Sequence, residues 1–262
     1  MSLFNPKSDR IAQREAQIQD RARMKLERQL RPKLLKEFVA TSREAEKAYL
    51  NGNDSTMMAQ VFLEHQNALK ALLQPTYART IESTAKYAID QAPKSALAKV
   101  EKKDLQGSIS SLLRTWMTTF ALKRSKSIAE YSKELVVDTI YNGAEEGLGE
   151  AVIAKNIRTK LGGGLGRARA RTIARTETHS ASQSALLETV DNLQLPPMLK
   201  KWITIEDDRT RESHRNAHGQ KRKKDEPFQV GDASLQFPSD PSSGEADEVI
   251  NCRCAMVFES EF

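Results

Sequence analysis

Apolar positions over roughly the first 190 residues recur with helical spacing. Ile18, Ala22, Leu26 and Leu30 fall four apart, one stripe along a helix. Pro32 predicts the first turn of a second helix, where its missing N–H costs little, with Leu34, Leu35, Phe38 and Val39 as the buried face. The turn Asn51-Gly52-Asn53-Asp54 is expected to close that helix, with Asp54 or Ser55 capping the next. There Met58, Val61, Phe62, His65, Leu69, Leu72 and Leu73 repeat at i, i+3, i+4 and i+7, and Pro75 is expected to stop the run. His65, inside this apolar stripe, reads as a hydrogen-bonded core histidine. Further helices are predicted at 77–91, 108–122 and 125–142, the last two joined by a short basic turn.

The texture changes near residue 143. Gly147, Gly149, Gly162, Gly163, Gly164 and Gly166 are half of the 12 glycines, and between them Val152, Ile153, Ile157 and Leu161 predict a short helix. Gly162–Gly166 lacks the Gly-Lys-Ser/Thr of a phosphate-binding loop and reads as a flexible helix-to-helix turn. The next helix has a small-residue inner face, with Ala170, Ile173, Ala174, Glu177, Ala181 and Ser184. After Pro196-Pro197 the pattern becomes strand-like at Lys201–Ile205, turns at Asp207–Thr210, and makes a short helix over Glu212–His218 that ends at Gly219. A polar stretch follows, and Val249–Phe258 supplies a second strand able to pair with 201–205. Alternation puts Cys252, Cys254, Met256 and Phe258 on one face, toward Trp202 and the short helix, with Arg253 on the other. Only the first face suits a core. The expected fold is therefore mainly α, with a long-helix N-terminal region (1–145). A small α+β module (146–262) follows, with helices over 148–190 and a short antiparallel sheet within 200–258.

Composition narrows the class. Of 262 residues, 39% are hydrophobic and 29% charged, too apolar and too periodic for a disordered chain. No run reaches the ~18 apolar residues of a membrane span, and Met1–Lys7 has no apolar stretch of a signal peptide, so synthesis in the cytoplasm is expected. Two cysteines one residue apart exclude a disulfide framework. The net charge of +6 equals the charge of one stretch, Arg158, Lys160, Arg167, Arg169, Arg171 and Arg175, which contains no acid. Such a stretch suits a polyanion or an acidic protein surface, or is simply a solvated helix face.

The chemistry-bearing residues lie in the last third. His214-x3-His218 on a helix and Cys252-x-Cys254 on a strand each present two side chains to one side, so the four could hold a Zn²⁺ ion. Alternatively the cysteines are small buried hydrophobes and His214 a structural histidine. No other cofactor is expected. Asp207, Asp208 and His214, with Arg209 and Arg211 beside them, could form a metal-dependent hydrolytic site, or the carboxylates could cap the short helix and pair with the arginines. No nucleophile with an assigned partner stands out, and no catalytic residue is assigned.

An ordered series of short motifs resembles a known family. It runs from Ala174-Arg175-Thr176-Glu177 through Lys201-Trp202, Asp208-Arg209-Thr210-Arg211 with His214, Gly219-Gln220 and Glu226-Pro227-Phe228. It closes with Phe237-Pro238-x-Asp240-Pro241 and Asn251-Cys252-Arg253-Cys254. Over about 145–258 this is similar to the Mu F-like minor head proteins of tailed bacteriophages, the phage head morphogenesis family. The resemblance implies a low-copy virion protein of the phage head at the portal vertex, read here as non-enzymatic. Its partners would be the portal protein, the major capsid protein and packaged double-stranded DNA, and its roles head assembly, DNA packaging or DNA ejection. Relatives can carry toxin or enzyme domains after this module; with Phe262 as last residue, none is expected here. The alternative functions are a nonspecific DNA-binding virion protein, or the hydrolase centred on Asp207, Asp208 and His214.

Overall fold

Neither Pro32 nor Pro75 breaks a helix. In the computed structural model, which describes residues 3, 4, 6, 8–52, 55–193 and 195–260, α1 runs unbroken over Asp9–Leu50 and α2 over Ser55–Gln91. Each proline removes one helical hydrogen bond, but Leu30, Leu34 and Phe38 around the first, and Leu73 and Tyr77 around the second, are almost fully buried. Packing on both sides outweighs the local defect. The expected cap at Asp54 and its neighbour Asn53 lie outside the described residues. The predicted basic turn near Lys123 is absent. Instead α4 (Lys102–Thr115) passes through a π-helical turn, Trp116–Phe120, directly into α5 (Ala121–Glu145). Trp116 stacks on Phe120 at 4.6 Å, and Gln74 Nε2 donates to the Met117 carbonyl at 2.9 Å.

Short α3 (Lys94–Leu97) precedes α4; α6 (Glu150–Gly162) and α7 (Gly164–Asp191) follow α5. The rest is β1 (Met198–Ile203), α8 (Glu212–Asn216), β2 (Lys221–Arg222), β3 (Phe228–Val230), β4 (Ala233–Leu235), α9 (Ala246–Val249) and β5 (Ala255–Ser260). The fold is mainly α with a small antiparallel part, as the sequence predicts. No helix among the described residues is long and apolar enough to cross a membrane.

Compactness divides the chain differently from the linear boundary at 145/146. One unit gathers residues 1–27, 77–115 and 175–262; the other gathers 28–76 and 116–174. The physical reason is helix length, since α1, α2 and α7 each contribute residues to both units.

In the second unit, Ala45, Ala48, Met58, Phe62, Val136, Ile153, Ile157 and Leu161 form one core. His65 is a satisfied core histidine, as expected: Nδ1 lies 2.8 Å from Thr41 Oγ1 and 2.9 Å from Glu37 Oε1, and Nε2 lies 3.3 Å from Ser132 Oγ. The glycine run is a close-packed turn. A Cβ on Gly166 would stand 2.4 Å from the Leu161 carbonyl oxygen, and one on Gly162 2.7 Å from Ser42 Oγ.

In the first unit the sheet order is β2-β1-β5, and β1 pairs with β5 through Trp202↔Met256 and Ile203↔Ala255. Both faces of this sheet are covered, which corrects the one-faced expectation. Trp202, Cys252, Cys254, Met256 and Phe258 enter the main core with Leu186, Val190 and Phe228. Ala255, Val257 and Ile203 pack instead on Ala12 and Ala16 of α1. The packed stripe of α1 here is Ala12, Glu15, Ala16, Gln19, Arg23 and Glu27, while Ile18 is 38% exposed. Polar residues can occupy that stripe because each is paired. Arg23 bonds Asp20 and Glu27, and Gln19 donates to the Met256 carbonyl at 3.0 Å and accepts from Gln183 Nε2 at 3.1 Å. Gln183 also accepts the Met256 N–H at 3.2 Å, so two glutamines satisfy backbone groups at the outer edge of β5.

Candidate functional site

The motif residues at 175–180 and 239–254 meet in the first unit. Asn251 adopts the left-handed conformation (φ 61), which asparagine tolerates, and its N–H donates to Thr176 Oγ1 at 3.1 Å. Ser180 Oγ donates to the Ser239 carbonyl at 2.6 Å, and Ser239 Oγ to the Val249 carbonyl at 3.0 Å. This frame sets the direction in which Cys252 and Cys254 leave the turn and approach α8.

His214 Nδ1 stands 3.3 Å from Cys254 Sγ and 3.8 Å from Cys252 Sγ. The three residues are buried, and their ligand atoms lie within 4.8 Å of one another. The other ring nitrogen, Nε2, is 2.9 Å from Glu248 Oε2, an ion-pair contact out of line for a hydrogen bond. Ser213 Oγ donates to the same carboxylate oxygen at 2.8 Å. Gly231 makes room for Glu248: φ is 58, and a Cβ there would meet Glu248 Oε1 at 2.9 Å. His179 of α7, 4% exposed, interacts with the Cys252 thiol. Burial lowers the pKa of His179 and pushes the Cys252 thiol up to about 11, so both are neutral near pH 7 without a counter-ion.

His218 is not part of this cluster, a correction to the expected ligand set. Its Nδ1 accepts the Thr204 N–H at 3.1 Å, which fastens α8 to the end of β1. His179 takes its place beside the thiols. Sequence periodicity hides this residue because Thr176–Ser180 of α7 are all buried, so the helix shows no polar and apolar sides there.

Asp207, Asp208 and His214 do not converge. Asp207 accepts two bonds from the Arg253 guanidinium, at 2.5 and 2.6 Å, and a backbone bond from Arg209 at 3.0 Å. The Arg253 bonds, helped by Arg209, hold its carboxyl well below the usual carboxylate range, too weak a base to take a proton near neutrality. Asp208 is exposed, and His214 faces the cysteines.

The cationic stretch is also divided. Arg158, Lys160, Arg167 and Arg171 are exposed, with Arg158 3.6 Å from Glu46. Arg169 is instead inserted between the Phe38 and Tyr131 rings, 4.8 and 4.6 Å from their centres, and bonds Ser132 Oγ at 3.2 Å. Arg175 pairs with Glu27 at 3.5 Å. These two belong to the packing of their own units and leave four exposed cations.

The chain is similar to an NAD(+)–arginine ADP-ribosyltransferase, EFV, of Enterococcus faecalis, with 32% identity over 139 residues. That stretch is 51% of this chain and only 28% of the relative. No solved structure matches the chain significantly. The family model described as phage Mu protein F-like protein matches residues 134–257, which include the turn, the histidines and the cysteine pair just described. Over these residues, just under half of its length, the chain is similar to the phage Mu protein F-like family.

Proposed function

We propose that this chain is a minor, non-enzymatic component of the phage head that acts at the portal vertex, with the portal and major capsid proteins as its partners. The family match over residues 134–257 carries this reading. The four exposed cations Arg158, Lys160, Arg167 and Arg171 flank the α6–α7 turn. α7 begins without an acidic residue in its first turn, so the positive end of its dipole adds to the same field. An anionic surface, packaged DNA or an acidic face of the portal, is the partner we assign to this turn. ADP-ribosyl transfer is named for a protein of which this chain covers 28%, and we do not assign it here.

Reversing Arg158, Lys160, Arg167 and Arg171 to Glu is expected to lower incorporation into heads, or their DNA content, with unchanged circular dichroism. Quantitative mass spectrometry of purified heads reads incorporation. Normal incorporation with normal DNA content would leave these cations a solvated face. For direct DNA binding, the log of the affinity should fall against log salt with a slope of about −0.9 per phosphate contacted. A flat profile would favour the acidic protein surface.

A further inference from the structure

We propose that His214, Cys252 and Cys254, whose ligand atoms lie within 4.8 Å of one another, hold one Zn²⁺ ion that fastens α8 to the Cys-Arg-Cys segment, with His179 of α7, which adjoins Cys252, drawn in as fourth ligand. This goes beyond the assembly role and does not depend on it.

Distances carry the inference. In a tetrahedral zinc site with the usual Zn–S and Zn–N lengths, a nitrogen and a sulfur ligand stand about 3.6 Å apart. His214 Nδ1 lies 3.3 and 3.8 Å from the two sulfurs, on either side of that value. Ordinary core packing has no need to bring two thiols and an imidazole nitrogen together at ligand spacing.

The surroundings point the same way. His179 Nε2 and Trp202 Nε1 are buried side-chain nitrogens without an aligned hydrogen-bond partner among the described residues. Both rings adjoin the cluster of His214, Cys252 and Cys254: Trp202 lies edge-on to His214 at 5.7 Å and interacts with Cys254, and His179 interacts with Cys252. Buried polar groups left unpaired in this way call for an ion or water. A metal bound beside Cys252 would give the His179 ring a partner, and a metal-bound Cys254 thiolate gives the Trp202 N–H an acceptor. Glu248, 2.9 Å from His214 Nε2, supplies the carboxylate that fixes a ligating imidazole with Nδ1 toward the metal.

Two thiolates and two imidazoles select Zn²⁺ over Mg²⁺ or Ca²⁺, which prefer oxygen. On binding, each thiol forms a bond to the metal and releases its proton to solvent, so affinity falls as pH drops.

The test uses the full chain, purified under reducing conditions and loaded with Zn²⁺ or Co²⁺. One equivalent of zinc by elemental analysis is expected, and the Co²⁺ form should show thiolate charge-transfer bands with the intense visible bands of tetrahedral cobalt. Glu248→Gln should weaken binding about 10–100-fold. His179→Gln should reduce the tetrahedral visible bands, while His218→Gln should keep both stoichiometry and spectrum. Absence of zinc and of a cobalt–thiolate band in the unaltered chain overturns the site. A Cys252–Cys254 disulfide in metal-free protein that resists metal loading after reduction overturns it too. Loss of metal in His218→Gln with retention in His179→Gln would overturn the ligand assignment. All of these read metal, so a failed head-assembly experiment leaves them standing.

Discussion

Asp207→Asn removes one charge from the contact that ties the 205–211 turn to the cysteine segment. The carboxylate is only 28% exposed and the Arg253 side chain 15%, and the two share a two-pronged contact at 2.5 and 2.6 Å. Asparagine keeps the size and the acceptor for the Arg209 N–H, but turns an amide NH₂ toward the guanidinium. A charge-assisted bond contributes roughly 1.5–3 kcal/mol when buried, and exposed pairs under about 1 kcal/mol. Partial exposure puts the expected loss at about 1.5 kcal/mol, a fall in midpoint of a few degrees by thermal or urea unfolding near pH 7. The pH dependence tests the cause. Because Arg253 depresses the folded-state pKa of Asp207, the contribution is fully present above the unfolded value, about 3.9, and is lost as pH falls through the folded value. The gap between the chain and its variant should be widest near pH 7 and shrink below pH ~4. Equal stability at pH 7, or a gap undiminished near pH 3, would refute the ion-pair account.

Lys200 is fully buried in β1, its ammonium donating to the Lys224 and Gln236 carbonyls at 2.8 Å and to Gln236 Oε1 at 2.9 Å. Burial pushes its pKa down to about 8. Between that pH and the unfolded value near 10.4 the unfolded chain binds more protons, so the original chain should gain stability over Lys200→Met as pH rises, measured by urea unfolding; a flat difference would reject the shift. Gly166→Ala sets a Cβ 2.4 Å from a backbone oxygen and should destabilise by about 1–3 kcal/mol. Gly107→Ala, in the interior of α4 with open space around it, should stabilise by about 0.5–1 kcal/mol in the same thermal assay.

Much of this architecture is local and therefore legible from the chain alone. The α2 stripe from Met58 to Leu73, the small inner face of α7 at Ala170, Ala174 and Ala181, and the pairing of 201–203 with 255–257 follow from periods of 3.6 and 2, which a sequence displays directly. The approach of His214 to the cysteine pair belongs here too, since i, i+2 alternation and a short helix that ends just before Gly219 leave few other arrangements. What distant partners decide is different in kind. Pro32 and Pro75 stay inside helices because residues far along the chain pack on both sides of them. Arg23 and Glu27 are buried while Ile18 is exposed, because an arginine with two carboxylates can occupy a packed face that hydropathy assigns to isoleucine. Ala255 and Val257 need α1, more than 200 residues away, to cover their side of the sheet. His179 rather than His218 stands beside Cys252 for the same reason. The choice between two histidines rests on where α7 lies and on a backbone N–H at Thr204, and neither leaves a mark in the spacing of the motif.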